Sequence, residues 1–176
     1  MIDENGNSIK VSNLRVGQTI NVNYNGTTPT KLQVAKLTLG KVSSIDGSTF
    51  SLKSFNGSVE TFSVGANIKV QRGNSVSTSI TSLTNADHVE VRKAADGGIV
   101  VKVLTSIERK VSRYNSTTKE LSVIRTSFSD DNYKFAVSSE TYIHEGDTTL
   151  SVQSLKENDK IVLYFNGDKL VEIEKQ

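Results

Sequence analysis

Polar and apolar residues alternate along much of the chain. The run Thr19-Ile20-Asn21-Val22-Asn23-Tyr24 puts Ile20, Val22 and Tyr24 on one face; His88-Val89-Glu90-Val91-Arg92 does the same for Val89 and Val91, and Thr61-Phe62-Ser63-Val64 for Phe62 and Val64. A side-chain period of two is strand geometry, with one face buried and the other wet. On this pattern His88 faces solvent. Between the runs stand Asp46-Gly47, Asn56-Gly57, Asp96-Gly97 and Asn166-Gly167, pairs that tolerate positive φ and predict tight hairpins. The pattern predicts an all-β chain with very little helix. The best helical candidate is one turn over 152–158, which would place Leu155 as a plug at the end of a β unit, with Leu14 and Leu83 in the same role.

Those leucines recur at intervals of 69 and 72 residues, and each precedes a polar step and an alternating strand. Residues 40–70 and 109–143 also match in pattern: Phe62, Val64, Val70 and Gly73 fall opposite Phe135, Val137, Ile143 and Gly146. Such internal periodicity predicts repeat architecture. The predicted division is a partial unit over 1–39, the C-terminal half of a repeat, followed by complete units over 40–107 and 108–176. Each complete unit is expected to be a small antiparallel β-barrel of about 70 residues and about five or six strands, because closure removes edges that tandem units would otherwise expose. The half unit reads as part of a longer repetitive protein; its exposed edge must be covered by the next unit or by its missing half. Joints near Leu39–Lys41 and Ser106–Lys110 contain no Gly/Ser/Pro run, which predicts limited flexibility between neighbours.

Charge changes this picture little. Lys and Arg number 21 against 19 Asp and Glu, and bases such as Arg72, Arg92, Arg109 and Arg125 interleave with Glu60, Glu90, Glu108 and Glu120. This balance creates no general field for a polyanion, so no nucleic-acid partner is expected. The chain has no cysteine, which excludes disulfides, thiolate metal sites and a cysteine nucleophile. No apolar stretch reaches membrane-spanning length, and no signal-peptide pattern opens the sequence. No membrane insertion is expected.

Candidate chemistry is sparse. The two histidines, His88 and His144, fall at different places in their units, and no serine sits in a Gly-x-Ser-x-Gly elbow, so the expectation is a non-enzyme. Two oxygen-rich turns, Asp130-Asp131-Asn132 and Glu145-Gly146-Asp147, make Asp130, Asp131, Glu145 and Asp147 candidate calcium ligands if a neighbour adds oxygens, since that cation takes six to eight; turn capping is the competing reading. Tyr24, Tyr114 and Tyr133 are candidates for an aromatic carbohydrate platform, although no tryptophan is present to stack best. Phe50, Phe55, Phe62, Phe128, Phe135 and Phe165 read as core or hairpin-packing residues.

The recurring elements Gly40–Gly47, Asn56-Gly57, Thr61–Val64 and Leu14–Val22 give a pattern of Gly-Lys-Val-x-x-Ile-Asp-Gly, Asn-Gly, Thr-Phe-x-Val and Leu-x-x-Gly-x-x-Ile-x-Val. This resembles the β-barrel repeat domains of surface-layer and cell-wall proteins of Gram-positive bacilli. The chain departs from it at Asn85-Ala86-Asp87, Lys156-Glu157-Asn158-Asp159 and Arg113-Tyr114-Asn115-Ser116. The resemblance implies an extracellular structural module at the bacterial surface, a rigid spacer or lattice component whose partners are neighbouring domains of the same polypeptide and identical copies in a surface lattice. The alternative is a carbohydrate- or wall-polymer-binding module.

Overall fold

A computed structural model describes residues 1–14, 18–55, 57–65, 67–94 and 97–176. Arg15–Gly17, Asn56 and Asp96, on which parts of the predicted turn pattern rest, lie outside these. The chain divides into two compact units, Met1–Val103 and Leu104–Gln176.

The first unit opens with a 3₁₀ turn, Val11–Asn13, and a two-stranded ribbon of β1 (Ile20–Asn25) and β2 (Thr28–Val34). A seven-stranded sheet follows: β3 (Leu37–Asp46), β4 (Thr49–Ser54), β5 (Val59–Ser63), β6 (Ile68–Arg72), β7 (Ser75–Ser77), β8 (His88–Lys93) and β9 (Ile99–Val103), in the order β5-β4-β3-β8-β9-β6-β7. All its neighbours run antiparallel except β6 and β9. Alternation works as read from sequence: Val42, Phe50, Leu52, Phe62, Ile68, Val70, Val89, Val91 and Val101 all reach one core, closed at its end by Leu83 after the 3₁₀ turn Ile80–Ser82. Phe50 and Phe62 stack there with ring centroids 5.0 Å apart.

The second unit contains β10 (Thr105–Asn115), β11 (Glu120–Val123), β12 (Lys134–Ala136), β13 (Tyr142–Glu145), β14 (Thr148–Thr149), β15 (Lys160–Asn166) and β16 (Lys169–Lys175). Their order, β12-β11-β10-β15-β16-β13-β14, matches that of the first sheet strand for strand, and β13 and β16 form the corresponding parallel pair. Even the irregularities correspond. The first long strand shifts register between Val42 and Ser44 in one sheet and between Val111 and Arg113 in the other. Such a bulge bends the strand; residues 37–41 of β3 pair with β8 and residues 40–46 with β4, while residues 105–110 of β10 pair with β15 and residues 111–115 with β11. A 3₁₀ turn at Val152–Ser154 precedes Leu155, which caps the second core.

The expected closed barrel is not found. Each sheet has seven strands, and among the described residues no ladder joins its first strand to its last. The last strands, β7 and β14, have three and two residues, too short to seal the roll. Each sheet instead curls over one core and stays open. The boundaries predicted after residues 39 and 107 fall inside β3 and β10, so Leu39–Lys41 and Ser106–Lys110 are strand rather than joint.

Candidate functional site

The two sheets differ most in the connection between their second and third strands. In the first sheet β4 ends at Ser54 and β5 begins at Val59; in the second, β11 ends at Val123 and β12 begins only at Lys134. The added segment leaves the sheet as Ile124 donates its N–H to the Lys110 carbonyl. Asp130 braces it: Oδ2 accepts the Thr126 N–H at 3.0 Å and its hydroxyl at 2.8 Å, while Oδ1 accepts the Asn132 N–H at 3.1 Å. These bonds hold the Asp130 carboxyl below the usual range, the Thr126 N–H contributing most. Phe128 stands at the tip, 98 % exposed. That corrects its sequence reading as a packing residue; isolated composition could not reveal that its loop is an insertion with no core beneath it.

Beside this loop run two adjoining grooves of ≈ 530 and ≈ 510 Å³ that share Ile124 and Arg125. The first is lined by Arg109, Lys110, Arg125 and Lys160, with Glu108 as the one acidic side chain beside them; the second adds Arg113, Lys134 and Tyr133. Lys110 and Lys160 stand directly opposite each other in the β10–β15 ladder, a like-charge pairing that costs stability unless an anion offsets it. Arg125 lies 3.7 Å above the Tyr133 ring and donates to the Phe128 carbonyl at 3.5 Å. Arg109 donates from Nη1 to the Glu108 carbonyl at 2.9 Å and sits 3.8 Å from Asp130, but its buried Nε has no partner. A buried donor without an acceptor is uncommon in folded proteins. Sequence spacing concealed this cluster, because residues 109, 110, 125 and 160 become neighbours only through the β10–β15 ladder and the path of the added loop.

The predicted calcium residues occupy two separate turns. Asp130 is committed as above and Asp131 is exposed next to it; Glu145 and Asp147 flank the β13–β14 turn, where Glu145 lies 3.5 Å from Lys175 Nζ. Among the described residues no group of three or more His, Asp or Glu side chains is arranged to hold a metal. Of the three tyrosines, Tyr24 is 61 % exposed on β1 of the first unit, whereas Tyr114 and Tyr133 are half-buried against the second core.

Both histidines are buried, which corrects the solvent-facing reading of His88. Alternation predicts a wet face only where a strand has one, and β8 lies mid-sheet between β3 and β9 with successive residues buried. His144 makes two bonds, Nδ1 to the Gly146 carbonyl at 2.8 Å and Nε2 to Glu172 Oε1 at 2.9 Å. Burial opposes a charge on the ring, but the Glu172 bond, the Gly146 carbonyl and nearby Glu174 outweigh it, so the imidazole titrates above its ordinary range. Next to this pair, the Tyr164 hydroxyl donates to Glu174 at 2.9 Å; burial first, and that carboxylate second, push its phenol well up.

Among the described residues no helix is long and apolar enough to cross a membrane. Comparison of the chain with protein-family models and with curated proteins finds no match.

Proposed function

We propose that the chain is a structural and assembly module of a bacterial surface-layer or cell-wall-associated protein, built from tandem units of about 70 residues that set spacing along a coat or stalk. The observation that carries this reading is what recurs. Strand order, the parallel pair, the bulge in the first long strand and the leucine cap are common to both sheets, while the side chains on their surfaces are not. Repetition of architecture with divergent surface chemistry suits a load-bearing series better than a series of identical reaction sites. Pulling single molecules from their two ends tests it. A spacer should yield in two discrete events, each releasing roughly 250 Å of chain for about 70 residues; a single event or featureless extension sinks the reading.

A second reading, binding of an anionic wall polymer, is favoured by the cationic groove of the second unit. Charge-driven association weakens as salt screens it. Co-sedimentation with purified wall polymer should therefore fall with salt and be lost on combining Lys110→Glu with Arg125→Glu, while Tyr24→Ala leaves it intact. Loss with Tyr24→Ala alone would move binding to the aromatic platform and away from the groove.

A further inference from the structure

The ribbon at the start of the chain is laid out like the last two strands of a complete sheet. Ile20 pairs with Val34 as Val89 pairs with Val103, and the turn Val11–Asn13 precedes β1 as Ile80–Ser82 precedes β8. Ile2 makes a parallel bridge to Gln33 and an antiparallel bridge to Ser8, which are the relations of β6 to β9 and to β7. Among the described residues β1 and β2 have no counterpart of the β3–β4–β5 meander, and the apolar positions reflect this. Leu32 is 38 % exposed, whereas the corresponding Val101 and Ile173 are fully buried. Val11 is 73 % exposed, whereas Ile80 and Val152 pack against their cores. Ile20 and Val22 are only half-buried, where Val89, Val91, Ile161 and Leu163 are at most 1 % exposed. A two-stranded ribbon is marginal by itself, and among the described residues no second strand pairs with the other edge of β1, whose Asn21 side chain donates to the Lys93 carbonyl at 3.0 Å.

We infer that this edge and face are the seat of a third meander of the β3–β4–β5 kind, joined on the N-terminal side of Ile2. The occupant follows from the two complete sheets. There the strand on the corresponding edge is β3 or β10, in defined register with β8 or β15, and its meander supplies Val42, Phe50, Leu52 and Phe62, or Val111, Leu121 and Val123, to the core. The join follows from connectivity. The meander leads into β6 or β13 through residues 64–67 or 137–141, and Ile2 holds the position of Gln71 in β6. A glycine at the position of Gly40 would lie opposite Ile20, and the apolar side chains that follow would cover Val22, Leu32 and Val11.

The inference rests on the repeat-unit reading, and the test separates the two. A copy of residues 37–70 is fused directly ahead of Ile2 in the full chain. Hydrogen exchange at the β1 amides Ile20–Asn25 should slow by on the order of 100-fold or more, and single-molecule pulling should show a third event beside the two from the complete units. A control fusion with Phe50→Asp and Leu52→Asp in the added copy should give neither. Unchanged β1 exchange with the two original events intact overturns the meander and leaves the repeat reading standing; loss of those two events in the unfused chain overturns the repeat reading itself. Concentration-dependent protection of β1 in the unfused chain would assign the edge to a second copy and also overturn the inference.

Discussion

At the scale of the residue, His144 and Glu172 form the most consequential polar pair. Both ring nitrogens face acceptors, the Gly146 carbonyl and the Glu172 carboxylate, so the protonated ring donates at both. Its pKa is raised in the folded chain. Stability from the pair is therefore fully present below the unfolded histidine value, about 6.5, and is lost as pH rises through the higher folded value. His144→Gln should cost on the order of 3 kcal/mol at mildly acid pH, because it leaves the buried carboxylate without its cation. Urea unfolding of both proteins across pH checks this: the gap should narrow steadily toward alkaline pH, and a constant gap refutes the ion pair. Nothing in the sequence announced the pair. Its two members are 28 positions apart, and they meet only because β13 runs parallel to β16, a crossover that alternation cannot reveal. The carboxylate of Asp87 tells the same story. Arg72 grips it with both guanidinium nitrogens, at 2.9 and 2.7 Å. The corresponding Asp159 instead lies 3.8 Å from Lys175, which also reaches Glu145, the residue at the place of Arg72. The anion persists at the same turn while its cation arrives from a different strand.

At the scale of the element, strands and hairpins were legible because they depend on neighbours in sequence. Gly47 and Gly167 take positive φ directly after the β3 and β15 strands, as their turn pairs require. The divergence between the two sheets was less legible, and one position explains much of it. Gly40 lies where β3 and β4 approach so closely that a Cβ would overlap the Lys53 carbonyl. Without a side chain there, β4 continues beside β3 as far as Ser54. The corresponding residue in β10 is Arg109, and beside it β11 stops at Val123 and the chain swings out through Ile124 into the added loop. One glycine-to-arginine difference thus accompanies both the longer loop and the cationic groove that it borders. The eye for motifs misses this, because neither residue belongs to a turn signal and the consequence appears on the partner strand.

At the scale of the whole molecule, the chain divides into two compact units, Met1–Val103 and Leu104–Gln176, and alternation left open how each sheet would close. Alternation marks which residues of a half-buried strand face inward, but it does not say whether the first and last strands of a sheet meet; β7 and β14 have three and two residues. Among the described residues the two core clusters have no member in common, and this has a thermodynamic consequence. Leu121 is fully buried in the second core, so Leu121→Ala should destabilise that unit by about 2–5 kcal/mol through lost burial and the cavity left behind. Gly40→Ala acts only on the first sheet, forcing β3 from β4 at a cost of about 1–3 kcal/mol. Residue-resolved hydrogen exchange in each variant distinguishes the units. Leu121→Ala should raise exchange in β10, β11, β15 and β16 while leaving β3, β4, β8 and β9 at their original rates, and Gly40→Ala should do the reverse. Equal acceleration across all eight strands in either variant would mean that the cores unfold as one cooperative block, and the chain would then have to be treated as a single folding unit despite its two sheets.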